Sequence, residues 1–585
     1  MTGRVLRLKS LTAAFLAALL IAIGAARAGE AQPEAGTGFE VRTGVEAKSF
    51  LVVAANPLAA KAGAAILREG GSAVDAAVTV QMVLNLVEPQ SSGIGGGAFL
   101  LGYDRAAGEL YGLDGRETAP AATRPDLFLT AAGQPLTFYD AVIGGRSVGV
   151  PGALRLWQAA HRKAGKLPWA RLMQPAIDLA EQGFEISPRL ATLIALDREH
   201  LARDAVARAY FLNPDGSPRA AGTRLKNPAF ADTLRKLAAS PDDFYTGTIA
   251  KDIAAKVAGF TANPGALTEA DLRAYAVVGR EPACSPYRGT LVCGLPPPAG
   301  GSSVGEILGL LGHFEVEHIK PLGVEAVHLF AEASKLAYAD RDAYLADPET
   351  TPVPAAGLAD PLYLLVRAQL IDRDHALPVP ARAGNPPWRD SRDYPPGEAY
   401  EFPSTSHFVI VDKAGNVVSA TASIEDGFGS RLMVDGFLLN NELTDFSFRP
   451  EINGRPVANR AEPGKRPRSA MAPTIVLDDA NKPMLALGSP GGVRIVDYVA
   501  ETLVGVLDWG LDIQTAINLP HVANRNGVTE LEQGTALAKL KPALEALGHT
   551  VALTEMTSGL TGIRLSDGHL TGGADPRRDG AAVGE

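Results

Sequence analysis

The alternation of apolar and polar positions divides this chain into helical and extended stretches. After a polar stretch from Gly29 to Val45, the run Ser49 to Val53 reads as a short strand. Helical spacing follows from Pro57 to Glu69 and from Ser72 to Val87, split by Gly70-Gly71; the second run is apolar on most faces, which predicts an interior helix. Phe99 to Tyr103 and Glu109 to Leu113 pair as a hairpin. From Pro151 to Ala346 the rhythm is mainly helical, at Pro151 to Lys163, Pro168 to Gln182, Asn227 to Ala238, Thr268 to Tyr275, a run from Val304, and Val324 to Ala346. Phe408 to Val411 and Val417 to Ser423 flank Asp412-Lys413-Ala414-Gly415-Asn416, a strong hairpin signal. Phe437 to Leu439, Thr474 to Leu477 and Met484 to Leu487 add strands. A helix from Arg494 to Leu507 follows, then a helix at Pro542 to Leu547 and an extended Val551 to Leu553. No internal repeat is visible.

Four breaks in this rhythm attract interest. Residues Glu88 to Phe99 hold a glycine run, Gly93 to Gly97, that resembles a phosphate loop; no strand leads in and no Gly-Lys-Ser/Thr closes it, so close backbone packing is the better reading. The hairpin exit Asp114-Gly115-Arg116-Glu117-Thr118-Ala119-Pro120 offers an arginine that is either solvated or a carboxylate clamp. Leu295 to Ser303, with three prolines and two glycines before a helix, suits either a ligand approach or plain capping. His375 to Pro403 carries seven prolines and few apolar runs, the composition of a linker or flap.

Length and composition narrow the class without naming a function. The 585 residues allow several domains or one large layered unit, and 46% hydrophobic with 21% charged residues is ordinary for a globular protein. Met1 to Ala28 reads as a signal peptide: Arg4, Arg7 and Lys9 precede an uncharged run to Ala26, and Ala26-Arg27-Ala28 fits a cleavage site. An uncleaved anchor is the alternative. Its removal leaves 51 Lys and Arg against 65 Asp and Glu, a net charge of −14, which argues against nucleic acid or an anionic membrane as partner. Cys284 and Cys293 flank a turn; a hairpin disulfide and two separate thiols are equally open. Two cysteines do not make a zinc site, and no metal or organic cofactor is implied.

The candidate chemistry lies at Pro403-Ser404-Thr405-Ser406-His407, where the Pro-rich segment turns into an apolar strand. If the Thr405 hydroxyl attacks the Ser404 carbonyl, the peptide becomes an ester, and water releases a free α-amine on Thr405. That amine titrates near ~8 and serves as base to the same residue's hydroxyl. A threonine opening a strand is otherwise an ordinary β-former.

Several motifs in order then resemble the γ-glutamyltransferase family from about Ser49 to about Asp575. They are Asp114 to Pro120, Leu295 to Gly301, Thr405-Ser406-His407, Leu439 to Phe446, Lys465-Arg466-Pro467-Arg468-Ser469, and Gly488-Ser489-Pro490-Gly491-Gly492. The resemblance implies an α+β, four-layer αββα N-terminal-nucleophile hydrolase sandwich, made as one precursor that cuts itself between Ser404 and Thr405. Residues 29–404 would be the large subunit, ending in the Pro-rich stretch 375–404, and 405–585 the small catalytic one. It implies a γ-glutamyl donor such as glutathione, with water or an acceptor amino acid or peptide completing turnover; the signal peptide would place this in the periplasm or outside the cell. Thr405 would be the nucleophile, Ser423 stands where the family has a second threonine hydroxyl, and the amides of Gly491 and Gly492 would hold the oxyanion. Arg116 and Ser469 resemble contacts to the donor's α-carboxylate, and Glu442 and Asp445 contacts to its α-ammonium.

Three departures touch substrate choice. Glu425 stands where the family usually has an asparagine, Ala470 replaces a second serine, and the loop from Phe446 to Gly464 is shorter than the lid of bacterial members. An acylase of the same fold acting on glutaryl or related side chains is the sibling alternative, and a non-catalytic exported binding protein is the reading from another class.

Overall fold

The computed structural model describes residues 35–389, 394–566 and 568–585; the proposed signal peptide and residues 390–393 of the Pro-rich segment lie outside them. Two seven-stranded sheets stack at the centre. The first runs Ala581–Gly584, Leu51–Ala54, Ser406–Val411, Val417–Ser423, Gly97–Asp104, Glu109–Gly115, Val278–Arg280. The second runs Val45–Ala47, His569–Ala574, Thr561–Ser566, Pro483–Gly488, Thr474–Leu477, Thr290–Gly294, Ala283–Tyr287. Neighbours in both are antiparallel.

The central strands Ser406–Val411 and Val417–Ser423 are buried along their whole length because both faces are covered. Along Ser406–Val411, Phe408 and Ile410 point into a core shared with the helices Pro57–Arg68, Ala73–Val87, Ala153–Ala164 and Trp169–Gln182. Val409 and Val411 point the other way, against Ile475, Leu485 and Leu487 of the second sheet. That sheet is covered in turn by Gly301–Leu311, Val324–Tyr344 and Ile495–Leu507. The order is helices, sheet, sheet, helices, as the resemblance implies.

Ala73–Val87 bears out its all-round apolar pattern: every residue is buried, and a capping box between Ser72 and Asp75 fixes its start. The glycine run is indeed a close-packing device. A Cβ on Gly95 would lie 2.1 Å from the Leu438 carbonyl oxygen, and one on Gly96 would lie 2.0 Å from that of Ser423. The proline turn at Leu295 also has a packing role: Gly300 N donates to Met471 O at 2.9 Å and Ser469 N to Pro298 O at 2.8 Å, which fixes the stretch carrying Ser469. Cys284 and Cys293 face each other across the edge hairpin and are bonded.

Candidate active site

The first-sheet hairpin brings the head of one strand to the tail of the next. Thr405 precedes Ser406–Val411, and Ser423 ends Val417–Ser423; their hydroxyl oxygens are 3.3 Å apart. Thr405 Oγ1 donates to the Ser404 carbonyl oxygen at 2.5 Å, and Ser423 Oγ donates to the same oxygen at 2.9 Å. The hydroxyl of Ser423 is itself oriented by the Glu425 amide at 2.8 Å. Flanking contacts pin the segment: Ser404 Oγ donates to Gln90 O at 2.6 Å, and Arg578 donates to the Thr405 carbonyl at 3.2 Å. The peptide bond between Ser404 and Thr405 is thus held against two hydroxyls in a buried, low-dielectric position.

Thr405 borders a cavity of about 240 Å³ whose lining includes Arg116, Glu425, Glu442, Asp445, Ser469 and Gly492. A larger apolar space of about 340 Å³ lies between Leu311, Phe330, Val504 and Trp509, with Glu501 as its one acid. It has no nucleophile and base together, so the smaller, polar cavity is the chemical one.

Arg116 is not solvated. Its two terminal nitrogens pair with Glu442 and Asp445, while Nε donates to Pro467 O at 3.2 Å and Nη2 to Arg468 O at 2.9 Å. The short helical turn Glu442–Asp445 presents both acids to one guanidinium, and Asn459 donates to the Asp445 carbonyl at 2.7 Å to brace it. Acids outnumber this cation. Burial pushes Asp445 well above the usual carboxylate range against the pull of Arg116, with Glu442 adding to the rise. Burial and Glu442 do the same to Glu117, and burial with Asp445, Asp426 and Glu442 to Glu425. Glu425 also accepts from the Phe402 amide at 3.2 Å and from Asn441. The cavity wall is therefore short of positive charge around Asp445.

Gly491 and Gly492 both adopt positive φ, 140° and 58°, at the head of the turn leading into Ile495–Leu507. A Cβ on Gly492 would meet Glu401 O at 2.4 Å and the Phe402 carbonyl carbon at 2.6 Å, so the segment upstream of Thr405 lies directly over Gly492, while one on Gly491 would meet the Tyr498 ring instead. Ser469 is buried and its hydroxyl accepts from the Met471 amide at 3.1 Å; Ala470 beside it brings no polar side chain.

Sequence reasoning left several residues unassigned here. Glu401, Arg341 and Arg468 form a buried ion cluster next to Arg116, and Arg578 fixes the nucleophile's carbonyl. Arg468 was visible inside a quoted motif; Arg341, on a helix, and Arg578, in the tail, carry no local signal. The structure also gathers His328, Glu332 and His549, which sequence distance conceals. These are satisfied by one another and by neighbours: His328 and His549 share a bond of 2.7 Å, Thr529 lies 2.9 Å from His549, and Lys335 donates to Glu332 at 2.6 Å. With an ammonium already on the carboxylate, the group fits a structural network better than a metal site.

His407 stands two residues from Thr405 and invites a role as base. Its ring is fully buried over Gly488 and bonded to Thr421 Oγ1 at 2.8 Å; burial lowers its pKa from 6.5 to about 3, so it is neutral at working pH. Because the unfolded chain takes a proton below about 6.5 and the folded one does not, His407 withdraws stability as pH falls through that window. The stability advantage of wild type over His407→Gln is expected to shrink by about 3 kcal/mol between pH 7 and pH 4. Urea unfolding of both proteins at the two pH values checks this; a constant difference contradicts it.

A nucleophile candidate at the head of a strand, set between two antiparallel sheets with helices outside, defines the class of N-terminal-nucleophile hydrolases. The gamma-glutamyltranspeptidase family model matches residues 59–585, and the chain belongs to that family of enzymes. It is 38% identical over 551 residues, 92% of either chain, to the glutathione hydrolase proenzyme of Bacillus subtilis (strain 168). It is 35% identical over 545 residues to the acylase ACY 1 proenzyme of Pseudomonas sp. (strain SE83), covering 91% of this chain and 93% of that one. The solved cephalosporin acylase from Bacillus halodurans superposes with a TM-score of 0.82 over 94% of this chain and 98% of its own, at 29% identity.

Proposed function

We propose that this chain is an exported precursor that cuts itself between Ser404 and Thr405 and then works as a γ-glutamyl hydrolase or transpeptidase. Met1 to Ala28 would direct export, and among the described residues no helix is long and apolar enough to cross a membrane. Residues 29–404 and 405–585 would remain together as two subunits. In the first step Thr405 Oγ1 bonds to the Ser404 carbonyl carbon, the C–N bond breaks, and the hydroxyl proton passes to the departing nitrogen; water then hydrolyses the ester. Ser423, already donating to that carbonyl, stabilises the developing oxyanion. In turnover the freed amine of Thr405 takes the hydroxyl proton and returns it to the leaving amine, while the amides of Gly491 and Gly492 hold the new oxyanion once the upstream segment leaves Gly492.

One observation carries this reading: two hydroxyls, from Thr405 and Ser423, both bonded to the Ser404 carbonyl beside a cavity rich in acids. The excess of acid around Asp445 favours donors with an α-ammonium, because a bound cation supplies the charge that Glu425, Glu442 and Asp445 lack. Glutathione and related γ-glutamyl compounds have that group; glutaryl side chains do not. The acylase reading retains support from the resemblance to acylases, so a direct comparison is needed: turnover of a γ-glutamyl anilide is expected to exceed that of a glutaryl anilide at equal concentration. Faster glutaryl turnover would make the chain an acylase.

Ser423→Ala is expected to slow self-cleavage by about a hundredfold, the typical loss for one oxyanion donor, with Ser423→Thr restoring it. The precursor's disappearance on denaturing gels measures this; cleavage of Ser423→Ala at the wild-type rate would remove Ser423 from the mechanism.

A further inference from the structure

A second chain of buried polar groups lies away from the cavity at Thr405. Glu501 Oε2 is 2.7 Å from His521 Nδ1, His521 Nε2 is 2.7 Å from Ser558 Oγ, and Ser558 Oγ donates to Asp575 Oδ2 at 2.6 Å. All four side chains are buried. The spacing is that of a serine–histidine–acid triad, but the protons run the wrong way. The Ser558 hydroxyl gives its hydrogen to Asp575, so His521 Nε2 carries the hydrogen between ring and serine; Nδ1 of the neutral ring is then bare and accepts from the Glu501 carboxyl. Burial agrees with that assignment: it lifts Glu501 well above the usual carboxyl range and holds His521 well below its own, with Arg577 adding to the fall. A serine whose hydrogen points away from the imidazole is not an activated nucleophile, and Ser558 lines neither of the two cavities.

What the chain touches is the loop from Ser489 to Gly492. Gly559, next to Ser558, donates its amide to Ser489 Oγ at 3.4 Å, and a Cβ on Gly559 would lie 2.5 Å from Pro490 Cγ. At Gly491 itself, an added Cβ would lie 2.5 Å from the Tyr498 ring, and Tyr498 packs on His521 with ring centroids 4.5 Å apart. His521 therefore reaches the loop twice, through Ser558 with Gly559 and through Tyr498. Its own backbone is fixed, since its amide donates to Glu532 Oε2 at 2.8 Å and its carbonyl accepts from the Glu532 amide at 3.0 Å. Gly491, at a φ of 140°, has little conformational preference of its own, so the packing around it sets where its N–H points.

We infer that His521 is a positioning residue for turnover: through Tyr498 and through Ser558 and Gly559 it holds the Gly491 amide where the oxyanion of acyl transfer forms. Its role rests on the reading that the amides of Gly491 and Gly492 hold that oxyanion. Self-cleavage uses Ser423 for the same purpose, so the two reactions respond differently to the loss of His521.

Steady-state turnover of a γ-glutamyl anilide by the cut enzyme, measured beside the rate at which each variant's precursor cuts itself, tests this. His521→Leu is expected to lower kcat about ten- to a hundredfold, with KM and the self-cleavage rate each within about threefold of wild type. Ser558→Ala is a smaller change that decides the case if His521→Leu does not fold; it is expected to lower kcat about tenfold with the same split. Glu501→Leu is expected to match Ser558→Ala, and Glu501→Gln, which still donates to Nδ1, to restore most of the loss. Unchanged kcat in these variants, a rise in KM in place of a fall in kcat, a self-cleavage rate that falls as far as kcat, or no rescue by Glu501→Gln would each overturn the proposal. If wild type turns over the glutaryl anilide instead, the same split on that substrate leaves His521 its role while the γ-glutamyl reading falls; no turnover of either anilide overturns both.

Discussion

Thr405→Ala is expected to run as a single full-length band on a denaturing gel and to lose γ-glutamyl amidase turnover by roughly ten-thousand-fold or more. Both losses come from one oxygen. The Thr405 hydroxyl lies 2.5 Å from the carbonyl oxygen of the bond it would break; Ser423, bonded to the same oxygen at 2.9 Å, would act as oxyanion donor, and His407 is buried and neutral. Without cleavage no α-amine is freed, so the base is lost together with the nucleophile, and Glu401 and Phe402 stay over Gly492. Thr405→Ser keeps the hydroxyl and is expected to cut and turn over at reduced rates. Two bands from Thr405→Ala, with the new terminus at residue 405, would move the chemistry elsewhere.

Arg116→Met is expected to lower unfolding stability by about 3 to 5 kcal/mol and to abolish measurable γ-glutamyl turnover. Its guanidinium spans Glu442 and Asp445 and also donates to two backbone carbonyls, of Pro467 and Arg468, all in a buried position. Removing it leaves adjacent acids with no cation between them, and they escape only by taking protons. The protonated pair no longer offers an anionic cradle for an α-ammonium. Arg116→Lys keeps the charge but not the fork, so it restores part of the stability and less of the turnover. Guanidinium unfolding and anilide turnover of both variants measure this. An Arg116→Met protein as stable and active as wild type would reduce the cluster to a bystander.

The helical half of the architecture was legible in the chain, and much of the second sheet was not. Ala73–Val87, Val324–Tyr344 and Ile495–Leu507 are long and strongly patterned, and the structure starts each within one residue of the sequence reading. The second-sheet strands Val45–Ala47, Thr561–Ser566 and His569–Ala574 give little signal, and Gly562, Gly572 and Gly573 imitate loops; they become strands because neighbouring strands and a covering helix complete them. Helices such as Pro188–Leu196 and Thr248–Gly259 were likewise passed over within a region read only as mainly helical. At the site, the motifs delivered Thr405, Ser423, Arg116, Glu442 and Asp445 to one cavity. What they withheld was which charges meet: Arg116 read as a ligand clamp but is matched by the acids assigned to the ammonium, and Glu401 read as part of a loose proline segment but is buried against Arg341. Pairing among buried charges depends on three-dimensional neighbours drawn from distant stretches, and spacing along one chain does not encode it.

Intact-mass spectrometry of the purified wild-type protein, before and during incubation with glutathione, tests the central claim most directly. The account predicts two chains, the smaller beginning at Thr405, and on that smaller chain a transient species heavier by one glutamyl group that sequencing places on residue 405. An uncut chain that still turns glutathione over, or an acyl group carried on any other residue, would contradict it.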